Sequence, residues 1–162
     1  MTGAQKRVAL LCDLSCAGRC SASIALPVLS AAGLECALLP TVLLSTHTGF
    51  AGAVRQPQAE LMRRTAAHWR TLGLSFDAIL IGYLGGAQAL AAAEEFVKDF
   101  KTDGTSLVVD PAMADGGRLY SGYPADFPQR LAPLAARGRA AAECRRGGAA
   151  AGENTRAGSY GK

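Results

Sequence analysis

Short, unbroken apolar runs separated by helical segments constrain the fold of this chain more than any other feature. Residues 77–83 read DAILIGY and residues 106–110 read SLVVD. Runs of this kind are typical of strands buried on both faces, as in parallel sheets covered by helices. RVALLC at 7–12 and ECALLPTVLLS at 35–45 predict two more strands. We expect the second of these to break at Pro40, and the first to lead into a loop.

Helical segments lie between these predicted strands. Residues 21–33 predict a small-residue helix that ends at Gly33, and residues 125–137 a last helix interrupted at Pro133. Two further helices follow from apolar spacing. The predicted buried face of the earlier one, which ends at Gly73, is Leu61, Thr65, Trp69 and Leu72. That of the later one is Leu90, Ala93, Val97 and Phe100. The alternation predicts an α/β fold with a mostly parallel sheet.

Composition and charge exclude several classes of protein. With 162 residues, of which 49% are apolar, the chain suits one globular domain of ordinary size. Its net charge is +4, but the aromatic residues are not interleaved with arginine and no nucleic-acid-binding motif occurs, so we expect no nucleic-acid partner. There is no signal-peptide core and no apolar stretch of membrane-spanning length. We therefore expect a soluble, cytoplasmic protein without a membrane partner.

The cysteines are concentrated near the start of the chain. Four of the five lie within the first 36 residues, and Cys12, Cys16 and Cys20 are four residues apart. This spacing fits neither a zinc-binding pair nor a cluster-binding motif. We interpret these cysteines as small apolar side chains in a reducing compartment.

Polar residues follow the predicted strands at the edge where ligands collect in parallel sheets. Asp13, the turn 47–49, Tyr83 and Asp110 all occupy such positions. His47 could hydrogen-bond a heteroaromatic hydroxyl, and Thr48 with the Gly49 amide could hold a polar substituent. The alternative is that STHTGF is an ordinary polar turn.

The stretch VVDPAMADGG places two carboxylates, Asp110 and Asp115, around the end of the fourth predicted strand. Pro111 favours an extended conformation at Asp110, which directs its carboxylate out of the strand end. Two neighbouring carboxylates suit Mg²⁺, which prefers oxygen ligands and could bridge nucleotide phosphates. The alternative is that both are turn residues.

Taken together, DLSCAGRCS, LLSTHTGF, DAILIGYLG and LVVDPAMADGGRLYSGY resemble the amino-terminal half of a pyridoxal/pyridoxamine kinase. This family belongs to the ribokinase-like superfamily, and the matching stretches lie between residues 7 and 137. The resemblance implies a three-layer αβα ribokinase-like fold with a mostly parallel sheet, here truncated. It also implies ATP-dependent phosphorylation of the 5′-hydroxymethyl group of a vitamin B6 compound.

The resemblance also implies roles for particular residues. The substrate contacts would be Asp13, His47, Thr48, Gly49 and Tyr83. Asp110 and Asp115 would lie near the ATP phosphates and their Mg²⁺ ion. Asp13 stands where many members of the family have serine, and a carboxylate there suits an amine-bearing B6 compound.

The family's second half has no counterpart in this sequence. That half carries an Asn-x-x-Glu segment and the aspartate that acts as catalytic base, so we assign no catalytic residue here. We divide the chain into a kinase-like part, residues 1–137, and a Gly/Ala/Arg-rich tail, residues 138–162. The tail has no Val, Leu, Ile or Phe and is interpreted as disordered or as the product of a frame shift. Resequencing of the coding region tests the latter.

Two alternatives to B6 phosphorylation stay open. The chain could be an inactive homologue that only binds a ligand or a partner subunit, or a kinase acting on hydroxymethylpyrimidine. A parallel sheet that ends after four strands leaves an edge uncovered, from which we expect a homodimer or poor solubility.

Overall fold

The computed structural model of the chain describes residues 4–115, 117–120 and 122–140. A six-stranded sheet in the order β3-β2-β1-β4-β5-β8 forms its centre, and β6 and β7 form a small separate ribbon. The strands are β1 Arg7–Ala17, β2 Glu35–Thr46, β3 Arg55–Pro57, β4 Ala78–Ile81, β5 Ser106–Val109, β6 Ala114–Asp115, β7 Arg118–Leu119 and β8 Arg139–Ala140. The helices are α1 Ala22–Ala31, α2 Ala59–Thr71, α3 Ala87–Phe100 and α4 Phe127–Ala136.

Every strand pair in the large sheet is parallel except the pair of β2 with the short strand β3. The larger hydrophobic core joins one face of this sheet to α2, α3 and α4, and a smaller core joins the other face to α1. Helices therefore lie on both faces, and the predicted α/β fold with a mostly parallel sheet is confirmed.

Helix α3 supplies much of the larger core. Its predicted face is confirmed, because Leu90, Ala93, Val97 and Phe100 are all buried. Gly33 and Gly73, which end α1 and α2, have φ angles of 77° and 67°. This left-handed conformation suits glycine, so both predicted helix ends are confirmed.

The buried face predicted for α2 is confirmed at Trp69 and is wrong at Leu61 and Leu72. Leu61 and Leu72 are 43% and 60% exposed, whereas Met62 and Ala66 are buried and Trp69 packs against the core. Small Ala66 and unbranched Met62 let the helix lie close to the sheet and α3, and the two leucines fall outside this contact.

Strands β1 and β2 are longer than the sequence patterns predict. β1 continues through Cys12 and Cys16 to Ala17, where a loop was expected, and β2 passes through Pro40 without a break. The register between the two strands shifts just after the Cys12–Pro40 pair, and β3 joins the other side of β2 only from Val42 onwards. A proline is tolerated at such an irregular position because its missing N–H interrupts no regular ladder.

The sheet extends past the predicted domain boundary at residue 137. Arg139 and Ala140 form β8 and pair with Val108 and Val109 of β5. Gly138 permits this approach, since a Cβ atom there would lie 2.7 Å from the Leu107 carbonyl oxygen. The rest of the predicted tail, residues 141–162, lies outside the described residues. None of the helices in the described ranges is long and apolar enough to cross a membrane.

Candidate ligand-binding site

A cavity of about 490 Å³ opens where β1, β2 and β4 end. Four of the predicted substrate residues line it, namely Asp13, His47, Thr48 and Tyr83. The volume is in the range of small-molecule sites, and the position is the one at which parallel sheets bind ligands. The structure therefore brings together side chains from three segments that are far apart in the sequence.

Asp13 is held inside β1 and is only 2% exposed. Its carboxylate accepts hydrogen bonds from Ser15 Oγ at 3.3 Å and from Cys12 Sγ at 3.5 Å. Burial, followed by the negative charge of Asp13, raises the pKa of Cys12 to about 12. Cys12 is therefore a protonated thiol at neutral pH and can act as the donor in this pair.

The turn after β2 fixes the orientation of His47. The Gly49 N–H donates to His47 Nδ1 at 3.2 Å, and the Phe50 ring contacts the imidazole edge at a centroid distance of 4.7 Å. Because Nδ1 accepts this bond, a neutral His47 carries its proton on Nε2 and can donate to a ligand. Gly49 itself lies in a smaller adjoining cavity rather than in the lining of the large one.

Tyr83 forms a buried wall of the cavity just after β4. Its hydroxyl accepts a hydrogen bond from Arg55 Nη2 at 2.9 Å, and the same nitrogen donates to the Gly85 carbonyl at 3.0 Å. Burial raises the pKa of Tyr83, while the positive charge of Arg55 opposes that rise. Strand β3, which carries Arg55, thus stabilises the segment that follows β4.

Tyr123 stabilises the same segment from the opposite side. Its hydroxyl accepts hydrogen bonds from the Gly85 N–H at 2.9 Å and the Leu84 N–H at 3.2 Å. Burial raises the pKa of Tyr123, so its hydroxyl stays neutral at any physiological pH. The Tyr83 ring packs against Tyr123 with centroids 5.4 Å apart, which fixes the wall of the cavity.

The two predicted phosphate- and metal-binding residues lie elsewhere at this end of the sheet. Asp110 directly follows β5, where its N–H donates to the Ile81 carbonyl at 2.8 Å. It is not in the cavity lining, and of Asp115 only the backbone, in β6, is described. Among the described residues, no group of three or more His, Cys, Asp or Glu side chains is placed to hold a metal ion. The Mg²⁺ site therefore stays a prediction.

The sequence analysis assigned no functional role to Arg55, Tyr120 or Tyr123. Tyr120 lines the cavity, and the other two stabilise its Tyr83 wall. Arg55 lies in a three-residue polar strand without apolar periodicity, so only its tertiary contacts reveal its role. The LYSGY stretch contains both tyrosines, and paired aromatics beside a predicted site were the one available signal.

Comparison with known proteins identifies the fold. No protein-family model and no curated protein matches the chain. Solved structures do match it. A protein from Bacteroides thetaiotaomicron, provisionally named a phosphomethylpyrimidine kinase, is 33% identical with a TM-score of 0.80. The match covers 85% of this chain and 48% of that one. One crystal form of the Bacteroides protein was obtained with pyridoxal.

Pyridoxal kinase from Lactobacillus plantarum is 34% identical, with a TM-score of 0.72 over 82% of this chain and 47% of that kinase. This is the fold of the pyridoxal kinases. Pyridoxal kinase from Leishmania donovani in complex with ADP has the same fold at 20% identity and a TM-score of 0.72. The ribokinase-like architecture predicted from sequence is thereby confirmed. The chain spans about half the length of each of these proteins.

Proposed function

We propose that this chain forms the vitamin B6-binding half of an ATP-dependent kinase that phosphorylates the 5′-hydroxymethyl group of pyridoxal, pyridoxine or pyridoxamine. The observation that carries the proposal is the convergence of Asp13, His47, Thr48 and Tyr83 on one cavity of about 490 Å³. Pyridoxal kinases with the same fold support the choice of ligand class.

The cavity has the chemistry that a substituted pyridine requires. Tyr83, Tyr120 and Phe50 offer aromatic surface for a flat ring. His47 Nε2 can donate to a polar substituent of that ring, and the Thr48 hydroxyl can donate or accept. A few polar groups set in an apolar wall are typical of sites that fix the orientation of a small ligand.

Asp110 and Asp115 are the residues we propose to face the phosphates of ATP and a Mg²⁺ ion. Carboxylate oxygens suit that ion, and both residues belong to the segment that follows β5. Bound MgATP would supply the phosphoryl group that is transferred. The chain's own part is to bind the B6 compound and to orient its hydroxymethyl group.

Titration calorimetry with pyridoxine tests the binding step. Pyridoxine is the appropriate probe because it has no aldehyde and cannot form an imine with a lysine. Thr48→Val should weaken binding by about fivefold to tenfold, since one hydrogen bond contributes about 1 kcal/mol. Thr65→Val is the matched control, because Thr65 lies on α2. Equal affinity for the wild type and Thr48→Val would contradict the proposed site.

An ATP-turnover assay with the same protein separates the binding half from a complete kinase. We expect binding without transfer, because the catalytic base that the family resemblance implies has no counterpart in these 162 residues. Turnover that is lost in Asp110→Ala would instead show that this chain is sufficient for the reaction. If the folded protein shows no binding and no turnover, the proposal is contradicted.

A hydroxymethylpyrimidine is the second candidate substrate. The specific observation in its favour is the 33% identity to the Bacteroides protein provisionally named a phosphomethylpyrimidine kinase. Competition against bound pyridoxine by 4-amino-5-hydroxymethyl-2-methylpyrimidine decides between the two ligands. If the pyrimidine displaces bound, labelled pyridoxine at a lower concentration than unlabelled pyridoxine does, the pyrimidine is the favoured ligand.

A further inference from the structure

We propose that Asp13 makes this cavity selective for a ligand that carries a cationic N–H donor, and among B6 compounds for pyridoxamine. The inference rests on the proposed function in its choice of B6 ligand, but the preference for positive charge follows from the residues around Asp13. It assigns to one buried carboxylate the discrimination among ligands of similar shape.

The groups that contact the Asp13 carboxylate are neutral. Ser15 Oγ is 3.3 Å and Cys12 Sγ 3.5 Å away, and Cys12 is a protonated thiol because its pKa is raised to about 12. The Ser15 bond is long for an O–H···O hydrogen bond and a thiol is a weak donor, so the two together satisfy the carboxylate only weakly. A charge buried to this degree is normally paired with an opposite charge.

None of the four ion pairs found among the described residues includes Asp13. They join Arg7 to Glu35, Arg63 to Glu95, Arg70 to Asp99 and Arg130 to Asp126. Arg19 lines the cavity but is exposed at its rim, where solvent screens its charge. The Arg55 guanidinium donates to the Tyr83 hydroxyl and the Gly85 carbonyl.

A ligand ammonium group would complete this arrangement. The aminomethyl substituent of pyridoxamine carries a positive charge at neutral pH, whereas the corresponding hydroxymethyl group of pyridoxine is uncharged. The two compounds are otherwise alike, including their ring nitrogen, so their affinities differ only through this substituent. A charge-assisted bond to a buried carboxylate corresponds to about tenfold to hundredfold in affinity.

The test compares dissociation constants for pyridoxamine and pyridoxine by titration calorimetry in wild type, Asp13→Asn and Asp13→Ser. We expect the wild type to bind pyridoxamine at least about tenfold more tightly, and both variants to bring the ratio to within about threefold of one. Asp103→Asn, which changes an exposed loop carboxylate, should keep the wild-type ratio. A ratio that survives in both Asp13 variants would overturn the inference.

Other outcomes are equally decisive. An equal loss of affinity for both compounds would mean that Asp13 binds the shared ring nitrogen, which overturns the amine preference. If the variants do not fold, as judged by circular dichroism, the wild-type ratio alone decides, and a value near one contradicts the inference.

A fragment pair separates this inference from the proposed function. Ligand-observed NMR can compare 4-(aminomethyl)pyridine with 4-(hydroxymethyl)pyridine on wild type and Asp13→Asn. If neither B6 compound binds, the proposed function fails. A preference for the aminomethyl fragment that depends on Asp13 would then still support the charge selectivity, and its absence would overturn it.

Discussion

Cys12 is a residue whose protonation depends strongly on the fold. It is buried between β2 and β4 and lies beside the Asp13 carboxylate, and these two effects raise its pKa from 9.0 to about 12. A cysteine in this state is a poor nucleophile. Its function in the site is therefore to donate a hydrogen bond to Asp13 and to fill the space beside Gly82.

The raised pKa predicts a loss of stability at alkaline pH. The unfolded chain releases the Cys12 proton near pH 9.0, but the folded protein holds it to about pH 12. The stabilisation is complete below pH 9 and is lost as pH rises towards 12. Between pH 8 and pH 10 the free energy of unfolding should fall by about 1 kcal/mol more in the wild type than in Cys12→Ala. Urea unfolding at both pH values measures this difference. Equal losses of unfolding free energy in the wild type and Cys12→Ala would contradict the prediction.

Arg55 is expected to stabilise both the fold and the wall of the cavity. Arg55→Met removes the hydrogen bonds to the Tyr83 hydroxyl and the Gly85 carbonyl, so the free energy of unfolding should fall by about 1–2 kcal/mol. The pKa of Tyr83 should rise further, because the positive charge that lowers it is gone. Urea unfolding and an alkaline absorbance titration of the tyrosines measure the two effects. Gln56→Met, an exposed change in the same strand, should show neither.

Single residues differ in how far the sequence could predict their positions. Asp13, the turn 47–49, Tyr83 and Asp110 were predicted to lie at one edge of the sheet because each follows an apolar strand. Asp13, His47, Thr48 and Tyr83 line one cavity there, whereas Gly49 and Asp110 do not. Arg55 could not be found in this way. Its contact with Tyr83 spans 28 residues of sequence and depends on the antiparallel pairing of β3 with β2.

At the scale of elements, β1 and the residue that follows β4 approach each other closely at Gly82. A Cβ atom at Gly82 would lie 2.7 Å from Cys12 Sγ, although its next contact, with Cys12 Cβ, is an ordinary 3.6 Å. Gly82→Ala should therefore cost about 1–3 kcal/mol of unfolding free energy. In the Cys12→Ala background most of this cost should disappear, because the sulfur that clashes is absent.

A double-mutant cycle by urea unfolding measures the coupling between these two residues. Gly104→Ala is a suitable control, since a Cβ there would be an ordinary 3.9 Å from its nearest neighbouring atom, Thr102 Oγ1. An equal cost of Gly82→Ala in both backgrounds would show that the backbone of Gly82, and not its contact with Cys12, requires glycine.

The elements also show which signals in the sequence are sufficient. β4, β5 and α3 were predicted because their apolar patterns are complete and their burial follows directly. The face of α2 was misassigned because leucines outweigh alanine in an apolar pattern, whereas close packing on a sheet favours the smaller side chain. Continuous β2 could not be predicted either, since the register shift that accommodates Pro40 is a property of the strand pair.

At the scale of the whole molecule, the two faces of the sheet are covered unequally. Ile79, Ile81, Leu107 and Val109 are buried under α2, α3 and α4. Their neighbours Leu80 and Val108, which face the opposite way, are only half-buried. α1 packs mainly against β1 and β2, so this face is covered best at one end. The proteins with the same fold are about twice as long. We propose that a further layer would pack on this less covered face of the sheet.

The exposed edge of the sheet gives the last prediction. Within the described residues β5 pairs with β8 only at Val108 and Val109, which leaves Ser106 and Leu107 without a partner strand on that side. Such an edge can pair with a second molecule, and a charged side chain opposes this pairing. Ser106→Lys should therefore reduce self-association, as measured by sedimentation velocity over a range of protein concentrations. Ser75→Lys adds the same charge at an exposed loop position and should have no effect. If both variants associate like the wild type, contact between molecules does not use the β5 edge.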